Sequence, residues 1–186
     1  MRLAKPEILL CVMGGTIDSV LTIEGEVDVS LRSSVRQFLM NAIRPYFNIV
    51  ERCVALKDSR KITQRDRMRL FRTIKSHRPS NKSARRLALV THGTFTMPDT
   101  AEFLRARQVD IQDWTIVHVG SFWPLNLPQI DHDNKIEGSD APFNLGFAVA
   151  ALLYEKPGIY IAMNGRVFPA GSVKKDTKHN LFVPKG

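Results

Sequence analysis

The chain has no apolar run of the ~18 to 20 residues that a membrane-spanning helix needs, and Lys5-Pro6-Glu7 interrupts the amino terminus before a signal-peptide core could form. The cytoplasm is therefore the expected compartment, with no membrane partner. It has only two cysteines, Cys11 and Cys53. Both fall in apolar segments that read as strands, so buried thiols are expected rather than a disulfide, and no ligand spacing suggests a metal. No internal repeat, low-complexity tract or linker divides the sequence. At 186 residues it has room for one domain with a full core and too little for two of ordinary size. Tyrosines are scarce as well, at positions 46, 154 and 160 alone.

Acidic residues are outnumbered, 18 against 27 lysines and arginines, for a net charge of +9. Most of the excess lies between Arg60 and Arg86, where only Asp66 offsets it. Such a surface suits an anionic substrate or a nucleic acid. No aromatic residues interleave with the charges as stacking platforms, which favours a solvated helix face over a nucleic-acid partner.

The most informative stretch is Glu7 to Ser19. Glu7-Ile8-Leu9-Leu10-Cys11-Val12-Met13 is a strand-length apolar run that breaks into Gly14-Gly15-Thr16-Ile17-Asp18. Paired glycines let the backbone take positive φ and approach a ligand closely, with the Thr16 hydroxyl at the mouth of a crevice. Further strands are expected over Phe47 to Leu56, Leu87 to Val90, Trp114 to Val119 and Gly158 to Met163. Asn164-Gly165 then turns the chain into Arg166-Val167-Phe168. Helical spacing marks Leu31 to Ile43, a helix capped by Thr63 and Asp66, Pro98 to Arg107, and Phe143 to Tyr154. Val20 to Ser30 reads as a hairpin or lid, and Phe122 to Asp140 as an irregular functional loop.

Strands alternating with helices predict an α/β fold: three layers, a mostly parallel sheet with helices on both faces, and flavodoxin- or Rossmann-like topology. The polar loops all follow strands and so gather at one edge. Three of them supply hydroxyls, Thr16, Ser59 and Thr94, and Lys175 supplies a cation or, with its pKa lowered by burial, a base. That set suits acyl transfer at an amide or ester, with backbone N–H groups of the glycine turns stabilising the oxyanion.

Gly14-Gly15-Thr16-Ile17, Asp58-Ser59, Thr91-His92-Gly93-Thr94, Ser139-Asp140 through Asn144-Leu145, Ala162-Met163-Asn164 and the basic motif around Lys175 occur in the order and spacing of the bacterial-type L-asparaginase family. The chain resembles that family's amino-terminal α/β domain from about Ile8 to Lys175, making residues 1–186 one such domain without the usual smaller carboxyl-terminal one. The resemblance implies side-chain amide hydrolysis through a threonine acyl-enzyme, with no cofactor. Thr16 matches the first catalytic threonine, and Thr94 the second, paired with a lysine. Lys175 fits best, with Lys174 and Lys178 close enough to exchange with it. Ser59 matches the serine that holds the substrate's α-carboxylate, and Gly15, Asp58, Gly93 and Phe95 fall at substrate-facing positions. Assembly as a dimer or tetramer is also implied.

Three departures accompany the resemblance. Phe95 stands where the family has an aspartate that binds the α-ammonium. Losing that charge-assisted bond costs ~1.5 to 3 kcal/mol, so asparagine should bind about ten- to a hundred-fold less well. The lid has no tyrosine, and the second domain's acidic contact to the amino group is missing. Besides an enzyme acting on asparagine, these departures suit a hydrolase whose substrate lacks the ammonium, or a catalytically weak relative binding a small carboxylate as a sensor or accessory subunit.

Overall fold

The computed structural model describes residues 5–21, 27–30, 32–42, 44–80, 85–126 and 138–185. Its centre is the apolar run identified above, which forms strand β1 (Glu7–Val12) with all six residues buried. From Ile8 on, β1 is apolar, as suits a strand covered on both faces, and it alternates sides as a pleated strand does, while Glu7 at its start is paired with His77. Leu9, Cys11 and Met13 enter one core, Ile8, Leu10 and Val12 the other.

Around β1 the sheet is completed by β4 (Asn48–Cys53), β5 (Arg86–Thr91), β6 (Trp114–Val119), β7 (Gly158–Met163) and β8 (Arg166–Pro169), in the order β4-β1-β5-β6-β7-β8. All neighbours pair in parallel except β8, which returns antiparallel to β7 through the Asn164-Gly165 turn. The five parallel strands thus follow the flavodoxin-like order, second-first-third-fourth-fifth, and the order reverses between β1 and β5. Ligands bind at the carboxyl ends of strands flanking such a switch point.

Helices α1 (Val35–Ala42) and α4 (Ala141–Tyr154) contribute to the core of one face, and α2 (Gln64–Ser76) and α3 (Met97–Arg105) to the other, giving the expected three layers. The start of α2 is a capping box: Thr63 Oγ1 accepts from Asp66 N and Asp66 Oδ2 accepts from Thr63 N at 2.8 Å. Two small hairpins complete the described structure. One pairs β2 (Ser19–Leu21) with β3 (Val27–Val29) where a hairpin or lid was expected, its tip at 22–26 lying outside the described residues. The other pairs β9 (Val173–Asp176) with β10 (Leu181–Pro184), so the basic carboxyl-terminal stretch is an ordered hairpin with Val173 and Phe182 in the core.

Several expectations are corrected. Cys53 is exposed, not buried, at the end of the edge strand β4; Cys11 is fully buried. The basic segment is offset by more than Asp66. Asp58, Asp99, Asp110 and Asp113 pair with Arg60, Arg67, Lys75 and Arg86. In the Phe122 to Asp140 stretch, Leu125 belongs to the core, Trp123 is exposed, and 127–137 lies outside the described residues. Asp140 organises the visible part, accepting from Phe122 N and Trp123 N at 3.0 Å each. Among the described residues no helix is long and apolar enough to cross a membrane.

Candidate active site at the switch point

Three loops at the carboxyl ends of β1, β4 and β5 meet in backbone contact. Gly14 and Gly15 have φ of 85° and 91°, a conformation that side chains resist. A Cβ on Gly15 would fall 2.2 Å from Gly93 Cα, and one on Gly93 would fall 2.6 Å from Ser59 Cβ. Only residues without side chains allow the loops to stack this closely. The stack brings Thr16, Ser59 and Thr94 to one cleft of about 300 Å³, lined also by Gly15, Ser19, Asp58, Arg60, Gly93, Phe95 and Lys175. Every expected site residue is therefore in this cleft.

Lys175 reaches it from β9 and donates from Nζ to Thr94 Oγ1 at 2.8 Å, with the Phe122 ring 5.2 Å from its ammonium. Lys174 and Lys178 are exposed, so Lys175 is the lysine at the cleft. Burial, with the Arg60 guanidinium second, holds the Lys175 ammonium below the ordinary lysine range. Thr94 and Ser59 are buried, Thr16 is half-buried, and Phe95 is 55% exposed at the rim.

The floor is pinned by hydrogen bonds. Thr96 Oγ1 donates to Ser59 O at 2.7 Å, and Gly15 N–H donates to Lys57 O at 3.1 Å. The second bond takes Gly15 out of the donors expected for an oxyanion. Behind Gly93, buried His92 is held down to about 4 by desolvation and is neutral. Arg67 Nε donates to Thr100 Oγ1, whose hydroxyl can then donate to His92 Nε2 at 2.9 Å, leaving the Nδ1 proton for Gly93 O at 2.8 Å. This chain fixes the Gly93 peptide. Asp18, two residues after Thr16, is buried; Thr91 Oγ1 donates to its Oδ2 at 3.2 Å, while Oδ1 has no partner among the described residues. Burial pushes its carboxyl up to about 6.

Asn144, buried on α4, joins the loops on the other side, donating to Gly120 O and Asp140 Oδ2 and accepting from Asn164 N. Ser19 and Arg60 line the cleft although neither was singled out from the sequence. The adjacency of Arg60 to Asp58-Ser59 was the available signal, obscured by the basic run that follows. Among the described residues no three His, Cys, Asp or Glu side chains cluster as metal ligands.

An open α/β sheet whose switch-point loops present threonines, a serine and a lysine defines a class of crevice-binding α/β proteins, and the family follows from the sequence match. Residues 7–182 match the family described as asparaginase, N-terminal, and the chain belongs to it. Similar solved structures include the thermostable L-asparaginase from Thermococcus kodakarensis, with 23% identity and a TM-score of 0.70 over 96% of this chain and 51% of that one. Another is a probable cytoplasmic L-asparaginase from Campylobacter jejuni, with 25% identity and a TM-score of 0.66 over 92% and 48%. L-asparaginase I from Vibrio cholerae shares 21% identity with a TM-score of 0.70 over 97% and 52%. The chain thus spans about half the length of each. No curated protein matches it.

Proposed function

We propose that the chain is an amidohydrolase of the L-asparaginase type, converting the side-chain amide of asparagine or a related small carboxylate-amide to the acid and ammonia. The observation that carries this reading is the 2.8 Å contact of Lys175 Nζ with Thr94 Oγ1 in the cleft that also holds Thr16. A threonine hydroxyl is a weak nucleophile until a base takes its proton, and a lysine with a lowered pKa is such a base.

In this reading Thr16 Oγ1 attacks the amide carbon and its proton passes to the Thr94–Lys175 pair. With Gly15 N–H committed to Lys57, the N–H groups of Thr16, Gly93 and Thr94 remain as candidate oxyanion donors. The C–N bond then breaks, the pair returns the proton to the departing nitrogen, and ammonia leaves. Water next attacks the Thr16 ester, restoring the hydroxyl and releasing the acid. In the same reading Ser59 and Arg60, both lining the cleft, hold the substrate carboxylate.

Ammonia release from asparagine, glutamine and succinamic acid tests the reading. Release should depend on Thr16, vanishing in Thr16→Ala, and Lys175→Met should lower the rate by ~10²- to 10⁴-fold. Release undiminished in Thr16→Ala refutes the assigned nucleophile. Binding of aspartate or succinate without turnover of any amide would instead make the chain a carboxylate-binding relative.

A further inference from the structure

The charges in the cleft narrow the amide it accepts, given that the amidohydrolase reading holds. Two cations, Arg60 and Lys175, line it. The single carboxylate among the described lining residues, Asp58, is saturated. Its Oδ1 accepts from Arg60 N at 2.8 Å and Arg60 Nε at 3.2 Å, and its Oδ2 accepts from Nε at 3.0 Å and Nη2 at 2.5 Å. A carboxylate offers about four lone-pair sites, and one arginine fills those of Asp58. Neither Asp66 nor Asp18 lines the cleft: Asp66 is bound by Thr63 and Lys57, and Asp18 is buried, its Oδ2 accepting from Thr91 and its Oδ1 without a partner among the described residues. At the rim, Phe95 turns an apolar, 55% exposed ring to the cleft.

From this layout we infer that the substrate is the monoamide of a small dicarboxylic acid bearing no ammonium beside its carboxylate, with succinamic acid as the simplest case. Its single anionic end can be held by the Ser59 hydroxyl and Arg60, its methylene groups can lie against Phe95, and its amide can reach Thr16. An α-ammonium in the same pose meets Lys175, the Arg60–Asp58 pair and a phenyl ring, with no unpaired carboxylate among the described lining residues. An unpaired charged donor of that kind is disfavoured by about ten- to a hundred-fold.

Succinamic acid and asparagine differ by that ammonium alone, so the ratio of their kcat/KM values, measured on the full chain with Thr16→Ala as the blank, is the test. Succinamic acid should be preferred at least tenfold. Asparagine turned over equally well or better, in a Thr16-dependent way, overturns the inference and leaves the amidohydrolase reading standing. Should neither amide be hydrolysed, the amidohydrolase reading fails, and calorimetric titration with succinate and L-aspartate decides the charge assignment. Succinate binding at least tenfold tighter supports it, whereas aspartate binding as tightly, or neither binding, overturns it. Phe95→Asp should move the preference toward the ammonium-bearing ligand by at least tenfold; an unmoved ratio removes Phe95 from the argument.

Discussion

Gly15→Ala probes whether the loops on β1 and β5 touch as described. Gly15 sits at φ 91° and ψ −174°, a region nearly exclusive to glycine, where a side chain costs ~1 to 3 kcal/mol. The added Cβ would lie 2.2 Å from Gly93 Cα and 2.3 Å from Gly93 N. Both are backbone atoms, so no rotamer change can relieve the clash. Overpacking of this kind adds ~1 to 3 kcal/mol. Together these give a loss of ~2 to 6 kcal/mol, or ~4 to 24 °C in Tm for a chain of this size. Gly146→Ala is the matched control, since that exposed helical glycine has nothing within 4 Å of an added Cβ. It should stabilise α4 by ~0.5 to 1 kcal/mol. Urea unfolding followed by circular dichroism measures both. Gly15→Ala within ~0.5 kcal/mol of the parent would refute the contact.

Two further outcomes concern protons. Arg60 is the second cause, after burial, that depresses the Lys175 pKa. Arg60→Gln should raise that pKa and move the rising limb of kcat/KM to higher pH, because the neutral amine is the base; a static or acid-shifted limb contradicts this role. Asp18 is pushed up from 3.8 to about 6, so between those values the folded state keeps a proton that the unfolded state has lost. Stability from this group therefore falls as pH rises through that window, by roughly 3 kcal/mol in all. Asp18→Asn should flatten that part of the stability profile between pH 4 and pH 7, and urea midpoints falling as steeply as in the parent would exclude Asp18 as the cause.

The central strands, the glycine turn and the capping box were legible in the sequence because each depends on neighbours along the chain. Ile8 to Val12 is apolar at every position since a central parallel strand is covered on both faces. Thr63 and Asp66 signal a helix start at a spacing of three. What escaped depends on partners far apart in sequence. Cys53 reads as a buried strand residue, and only the strand order shows that β4 is an edge. Arg60 looks like one charge in a basic run, yet the loop stack turns it into the cleft. Arg67 and Lys75 of α2 appear unbalanced until Asp99 of α3 and Asp110 of the segment after it are seen beside them. Among three closely spaced lysines, the alternation of β9 decides, placing Lys175 inward and Lys174 outward.

The two thiols stand on opposite sides of the solvent boundary, and this makes the protein its own gauge of opening. Cys53, exposed at the end of β4, is available to a thiol-reactive dye in the native state. Cys11 is shielded in β1, and burial pushes its thiol up to about 12. A second equivalent of dye therefore enters only when the layer packed on that face of β1 opens. Pulse labelling of the unaltered chain reports the frequency of that event. A ligand seated between β1 and β5 should slow the second label while leaving the first unchanged, so occupancy of the cleft can be followed without a substrate assay.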